Sequence, residues 1–128
     1  GDTYPFLDVL NKYTPYNFSS LNPGDKGSLF KSKNLQWKTV ICSEILYPNY
    51  VKAEISEVDF IVNQTNEAWF KNSRLLKNIM WQGAVLRAVE NRTPVIKTGN
   101  RAHNGIIYPS GNYKKVKEAE NYHILKLN

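Results

Sequence analysis

The chain has 128 residues, enough for one domain with a modest core. Hydrophobic residues make up 41% and charged residues 22%, a globular composition that excludes disordered and fibrous classes. The formal net charge is +6, from 17 lysines and arginines against 11 acids; lysines such as Lys12, Lys26, Lys31, Lys33, Lys52, Lys71, Lys77 and Lys97 are scattered, with one cluster at Lys114, Lys115 and Lys117. It reads as mostly solvated surface, with no nucleic acid as partner.

A single cysteine, Cys42, excludes an internal disulfide framework and a thiolate zinc cluster. His103 and His123 lie too far apart for ligand spacing, so no metal and no cofactor is expected. Sequons occur at Asn17, Asn63 and Asn91, where an asparagine-rich chain produces them by chance. No run of eighteen apolar residues is present and no signal-peptide pattern opens the sequence. A membrane anchor, if the protein uses one, is expected outside these residues.

In chain order, residues 1–16 carry aromatics and prolines with weak periodicity, which predicts a packed loop with one helical turn over 5–10. Residues 19–28, SSLNPGDKGS, are turn chemistry. Residues 29–33 predict a strand, and Asn34 turns the chain into a second strand that ends at Cys42, as a hairpin. A helix is expected over 43–55; Pro48 interrupts it, and the alternative is a short turn followed by a helix over 50–55. The run DFIVNQT, 59–65, is apolar and bounded by polar residues, as in a strand covered on both faces.

Asn72 or Ser73 then caps a long helix through Asn91, with Leu75, Leu76, Ile79, Met80, Ala84, Val85 and Ala88 at helical spacing. Residues 94–98 predict a further strand. Residues 105–108 and 113–116 flank the turn Pro109, Ser110, Gly111, Asn112 as a hairpin, and 122–127 predict a last strand. This order predicts an α/β fold with helices covering one face of a mixed sheet.

The chemistry centres on WKTVICSEILYP, where a β-branched strand runs into Cys42. After it come a capping hydroxyl at Ser43, an acid at Glu44 and the apolar Ile45 and Leu46. Taken alone, such a cysteine is either a buried small hydrophobe or a nucleophile on a strand-to-helix turn. Arg87 and Glu90, three apart on the long helix, read as a structural ion pair.

Four stretches carry a resemblance: VICSEILYP, then DFIVNQTNEAWF, then AVLRAVENRTPVIKTGN, then the GIIYPSG turn. Their order resembles the carbon–nitrogen hydrolase (nitrilase) superfamily. Within it, N-[DE]-A-W-F (Asn66, Glu67, Ala68, Trp69, Phe70) and A-x-x-R-A-x-E (Ala84, Arg87, Ala88, Glu90) are similar to the apolipoprotein N-acyltransferase family. The opening GDTYPF resembles that family's G-E-x-x-P segment, with Asp2 at the acidic position.

The resemblance implies an αββα sandwich, of which residues 1–128 would form the C-terminal portion. It implies a cysteine that takes an acyl chain from phospholipid as a thioester and passes it to the N-terminal cysteine amine of an apolipoprotein. Cys42 matches the nucleophile; Glu44 and Asp2 match supporting acids. The Ser43 N–H follows the nucleophile as an oxyanion donor, and Trp69, Phe70 and Asn66 would line the substrate pocket. The family's base glutamate and oxyanion lysine precede the G-E-x-x-P segment, so they are expected from a missing N-terminal half, or the fragment pairs with a second copy. Ser43 stands where the family usually has an aromatic and Lys71 where it usually has glycine. Family members act at the bacterial inner membrane with the catalytic domain on the periplasmic side. The alternatives are a non-catalytic remnant serving as a binding or dimerising module, and a small-substrate amidase, against which N-E-A-W-F argues.

Overall fold

The computed structural model describes residues 28–52, 58–71 and 73–116. The expected helical turn over 5–10, all but the last residue of the turn segment 19–28, and the strand over 122–127 lie outside the described residues, as does Asp2.

Strands β1 (Ser28–Ser32) and β2 (Leu35–Ile41) form the expected hairpin. Lys33 and Asn34 close it, with Lys33 in the left-handed region at φ 52°. The chain then makes a 3₁₀ turn (Cys42–Leu46) and a short helix α1 (Pro48–Lys52). Pro48 therefore separates two short elements, because its ring and missing N–H do not permit one continuous helix through it. Strand β3 (Phe60–Asn66) follows, then a second 3₁₀ turn (Ala68–Phe70) and the long helix α2 (Arg74–Asn91). Ser73 is the N-cap: its hydroxyl accepts from the Leu76 N–H at 3.4 Å. Strands β4 (Val95–Asn100), β5 (Gly105–Ile107) and β6 (Tyr113–Lys115) complete the described chain.

The six strands lie in one mixed sheet in their sequence order. β2, β3 and β4 run parallel, and the hairpins β1–β2, β4–β5 and β5–β6 are antiparallel. Parallel neighbours need a crossover, which the 3₁₀ turn with α1 begins between β2 and β3, and α2 supplies between β3 and β4.

Strand alternation assigns the two faces. Val40, Ile61, Val95 and Ile107 point to one side and are fully buried with Ile45, Val51, Met80, Trp81, Ala84 and Ala88. This is the core, sealed by α2. On the other side Trp37 stacks on Phe30 at 5.7 Å and on Phe60 at 5.8 Å. Trp37, Phe60, Val62 and Ile96 on that side are half-buried, and no described helix covers them.

The apolar stripe expected on α2 divides. Met80, Ala84 and Ala88 enter the core, joined by Trp81, while Leu75, Leu76 and Ile79 are exposed. The helix rotates toward the side that brings Gly83 against Leu46, where an added Cβ would stand 2.4 Å from Leu46 Cδ2. A close helix approach needs small residues, and Gly83, Ala84 and Ala88 decide the face over the larger leucines.

Candidate active site

The parallel strands β2 and β3 end near one another, and the candidate site sits where they stop. Cys42 follows the last residue of β2 with φ 49°, a left-handed conformation that L-residues with a Cβ rarely adopt. The side chain is half-buried. The Thr65 hydroxyl, one strand over, lies 3.6 Å from Cys42 Sγ as a donor.

Two side chains hold the elbow. The fully buried Asn63 donates through Nδ2 to the Val40 carbonyl at 3.3 Å and to the Cys42 carbonyl at 3.2 Å. On the other flank, the Ile41 N–H donates to Glu44 Oε2 at 2.6 Å. The expected cap at Ser43 is corrected here: the turn begins one residue earlier, at Cys42, and the Glu44 carboxylate rather than the Ser43 hydroxyl receives the N–H at its start. Ser43 is half-buried within the turn.

Past β3, the Asn66 side chain accepts two hydrogen bonds. Its Oδ1 accepts from the Ala68 N–H at 3.2 Å and from Asn100 Nδ2 at 3.3 Å, which shapes the turn that follows. Phe70 is half-buried against the core, whereas Trp69 is 70% exposed. The two rings stay close, 5.1 Å between centroids, but only one of them packs inward.

Glu67 and Lys97 form a buried ion pair, Lys97 Nζ to Glu67 Oε1 at 2.6 Å, with neither side chain accessible to water. Burial pulls the Lys97 pKa below the ordinary lysine value, opposed by the hydrogen bond and charge of Glu67 and by a charge interaction with Cys42. Lys97 thus departs from the mostly solvated lysines that the charge pattern predicts. Lys38 is buried too, with its Nζ donating to the Tyr50 carbonyl at 2.8 Å. Arg87 and Glu90 form the expected ion pair, the guanidinium donating through one terminal nitrogen to Glu90 Oε1 at 3.1 Å.

Sequence reasoning missed the roles of Asn63, Thr65, Glu67 and Lys97. A signal was present for the last of these: Lys97 is in phase with Val95 on β4, so strand alternation turns it to the core side. Asn63, half of a sequon motif, is likewise in phase with Ile61. No group of residues that could hold a metal ion occurs among the described residues.

The fold of a strand ending in a cysteine elbow, backed by parallel strands and a helical layer, is that of the nitrilase-type α/β proteins. Nit3 of Saccharomyces cerevisiae, a nitrilase-superfamily member, superposes with a TM-score of 0.64 at 18% identity, over 79% of this chain and 40% of that one. An amidase from Nesterenkonia sp. AN1, solved with the acetamide moiety of fluoroacetamide added covalently at its active-site cysteine, superposes with a TM-score of 0.59 at 17% identity, over 79% and 41%. In sequence the chain is 35% identical over 113 residues to the apolipoprotein N-acyltransferase of Aquifex aeolicus, covering 87% of this chain and 25% of that protein. The chain thus spans about a quarter of the length of the curated relatives it matches. No family model matches the sequence. The fold is that of nitrilase-superfamily structures, and the sequence is similar to the apolipoprotein N-acyltransferases.

Proposed function

We propose that this chain is the C-terminal portion of an acyltransferase catalytic domain that moves an acyl chain from a phospholipid to the N-terminal cysteine amine of an apolipoprotein. The observation that carries the reading is Cys42, held at φ 49° at the end of a parallel strand, in a chain whose sequence relatives are apolipoprotein N-acyltransferases.

In the first half-reaction the Cys42 thiolate attacks the ester carbonyl of the phospholipid. The tetrahedral oxyanion collapses to a thioester, and the lysophospholipid leaves as its alcohol, taking up a proton. In the second, the acceptor amine attacks the thioester carbonyl, an amide forms, and the sulfur regains its proton. The Ser43 N–H, next after the nucleophile in the turn, is a donor to the oxyanion. Glu44 keeps the turn in shape through the Ile41 N–H, Asp2 is a second supporting acid, and the exposed Trp69 is the side chain presented to lipid. Asn66 acts indirectly, by shaping the turn that carries Trp69.

General-base and cationic oxyanion assistance are worth roughly a hundredfold or more each. The family resemblance implies that the whole enzyme acts at the inner membrane with this domain on the periplasmic side. No described helix is long and apolar enough to cross a membrane.

The test is intact mass spectrometry of the full-length protein incubated with phospholipid in detergent. The expected result is an acyl adduct that disappears in Cys42→Ala and is discharged by an apolipoprotein with a free amino-terminal cysteine amine. A full-length protein that acquires no adduct sinks the acyltransferase reading in favour of a binding module. Turnover of a small amide without lipid would replace it with an amidase.

A further inference from the structure

Asn63, Thr65 and Glu67 follow one another along the core side of β3 and its extension, all with 9% exposure or less. Lys97 is the register partner of Asn63, yet its ammonium bonds Glu67, on the far side of Thr65. Its aliphatic stem therefore runs along the row, and the lysine and glutamate meet at the level of Thr65. Thr65 is the residue whose hydroxyl touches Cys42 Sγ. Gly99, the register partner of Thr65, has no side chain to occupy that level.

A buried ion pair is a poor stabiliser, because desolvating both charges offsets most of their attraction. This one is also incompletely satisfied: Glu67 Oε2 is buried without a hydrogen-bond partner. A packing role would be met as well by apolar residues of the same volume. What apolar residues cannot supply is a fixed positive charge beside a sulfur atom.

We propose that Lys97, anchored by Glu67, is a positioning residue that holds an ammonium next to Cys42 and makes its sulfur react faster as a nucleophile. The hydrogen bond and charge of Glu67 oppose the effect of burial on the lysine and fix where its ammonium stands. The charge interaction of Cys42 on Lys97 in the site's electrostatics agrees with this placement. The inference rests on the reading of Cys42 as nucleophile but not on the identity of the acyl donor or acceptor.

The experiment measures the rate at which iodoacetamide alkylates Cys42 in the full-length protein at pH 7, with folding checked by circular dichroism. Lys97→Met is expected to slow alkylation about tenfold, and Lys97→Arg, which restores the cation, to return it to within about twofold of the parent. If Lys97→Met does not fold, Lys97→Met with Glu67→Leu replaces the pair by apolar residues, a change buried pairs often tolerate, and the same slowing is expected. Alkylation at the parental rate in the folded methionine variant, single or double, overturns the proposal. So does equal slowing by methionine and arginine, which would assign Lys97 to packing alone. Because no phospholipid is involved, Lys97-dependent alkylation in a protein that forms no acyl adduct supports this inference while refuting the acyltransferase reading.

Discussion

Cys42 bears a local backbone constraint in the site. A left-handed conformation costs an L-residue roughly 1–2 kcal/mol, and only glycine adopts it freely. The fold retains a cysteine there although glycine would be more stable, which places the demand on the sulfur. Cys42→Gly is therefore expected to unfold at higher urea than Cys42→Ala, the two differing by about 1 kcal/mol, while neither forms an acyl adduct. Equal midpoints for the two variants would mean that the elbow stores no backbone strain. Asn63 is what keeps the conformation in place, since its single amide group ties the carbonyls of Val40 and Cys42 to β3. Thr65 then meets the sulfur from the same strand.

At the scale of the elements, the site depends on how closely β3 and β4 approach at their ends. A Cβ on Gly99 would stand 2.1 Å from the Thr65 carbonyl oxygen, and backbone cannot retreat as a flexible side chain can. Gly99→Ala is expected to destabilise the fold by about 1–3 kcal/mol in urea unfolding and to slow Cys42 alkylation, as Thr65 is pushed from the sulfur. Stability unchanged in this variant would show that the strands part there without penalty.

Most of these elements were legible in the sequence. The β1–β2 hairpin, the strand before the NEAWF turn, the Ser73 cap with its helix to Asn91, and the final described hairpin follow from alternation, capping and turn chemistry, which act over a few residues. The break at Pro48 was legible too. The rotation of α2 was not, since Leu75, Leu76 and Ile79 are as apolar as the residues that entered the core, and only the contact of Gly83 with Leu46 decides between faces. In the site, Cys42 and Glu44 could be read from their neighbours in the chain. The Glu67–Lys97 pair could not, because two residues thirty apart in sequence are brought together by the register of β3 on β4.

For the molecule as a whole, the same pair makes stability depend on pH in a defined direction. The Lys97 pKa is lowered in the fold, chiefly by burial, from the ordinary value of 10.5. Between its folded value and 10.5 the unfolded chain binds more protons than the folded one, so the contribution of this group to stability rises with pH across that window. The stability of the protein relative to Lys97→Met should accordingly increase as the pH is raised toward 10.5 in urea titrations; a difference that is flat or shrinking would show that the lysine is not desolvated. The order of the sheet has a consequence of another kind. Each described strand pairs with the strand that precedes it in the chain, from β1 to β6 without a jump. A polypeptide emerging from the ribosome can therefore add each strand to an edge that already exists, the Cys42 elbow taking its final support when β3 arrives and the lysine beneath it when β4 does. The Cys42 elbow is thus in place before β4 brings Lys97 to it, and β5 and β6 close the edge afterwards.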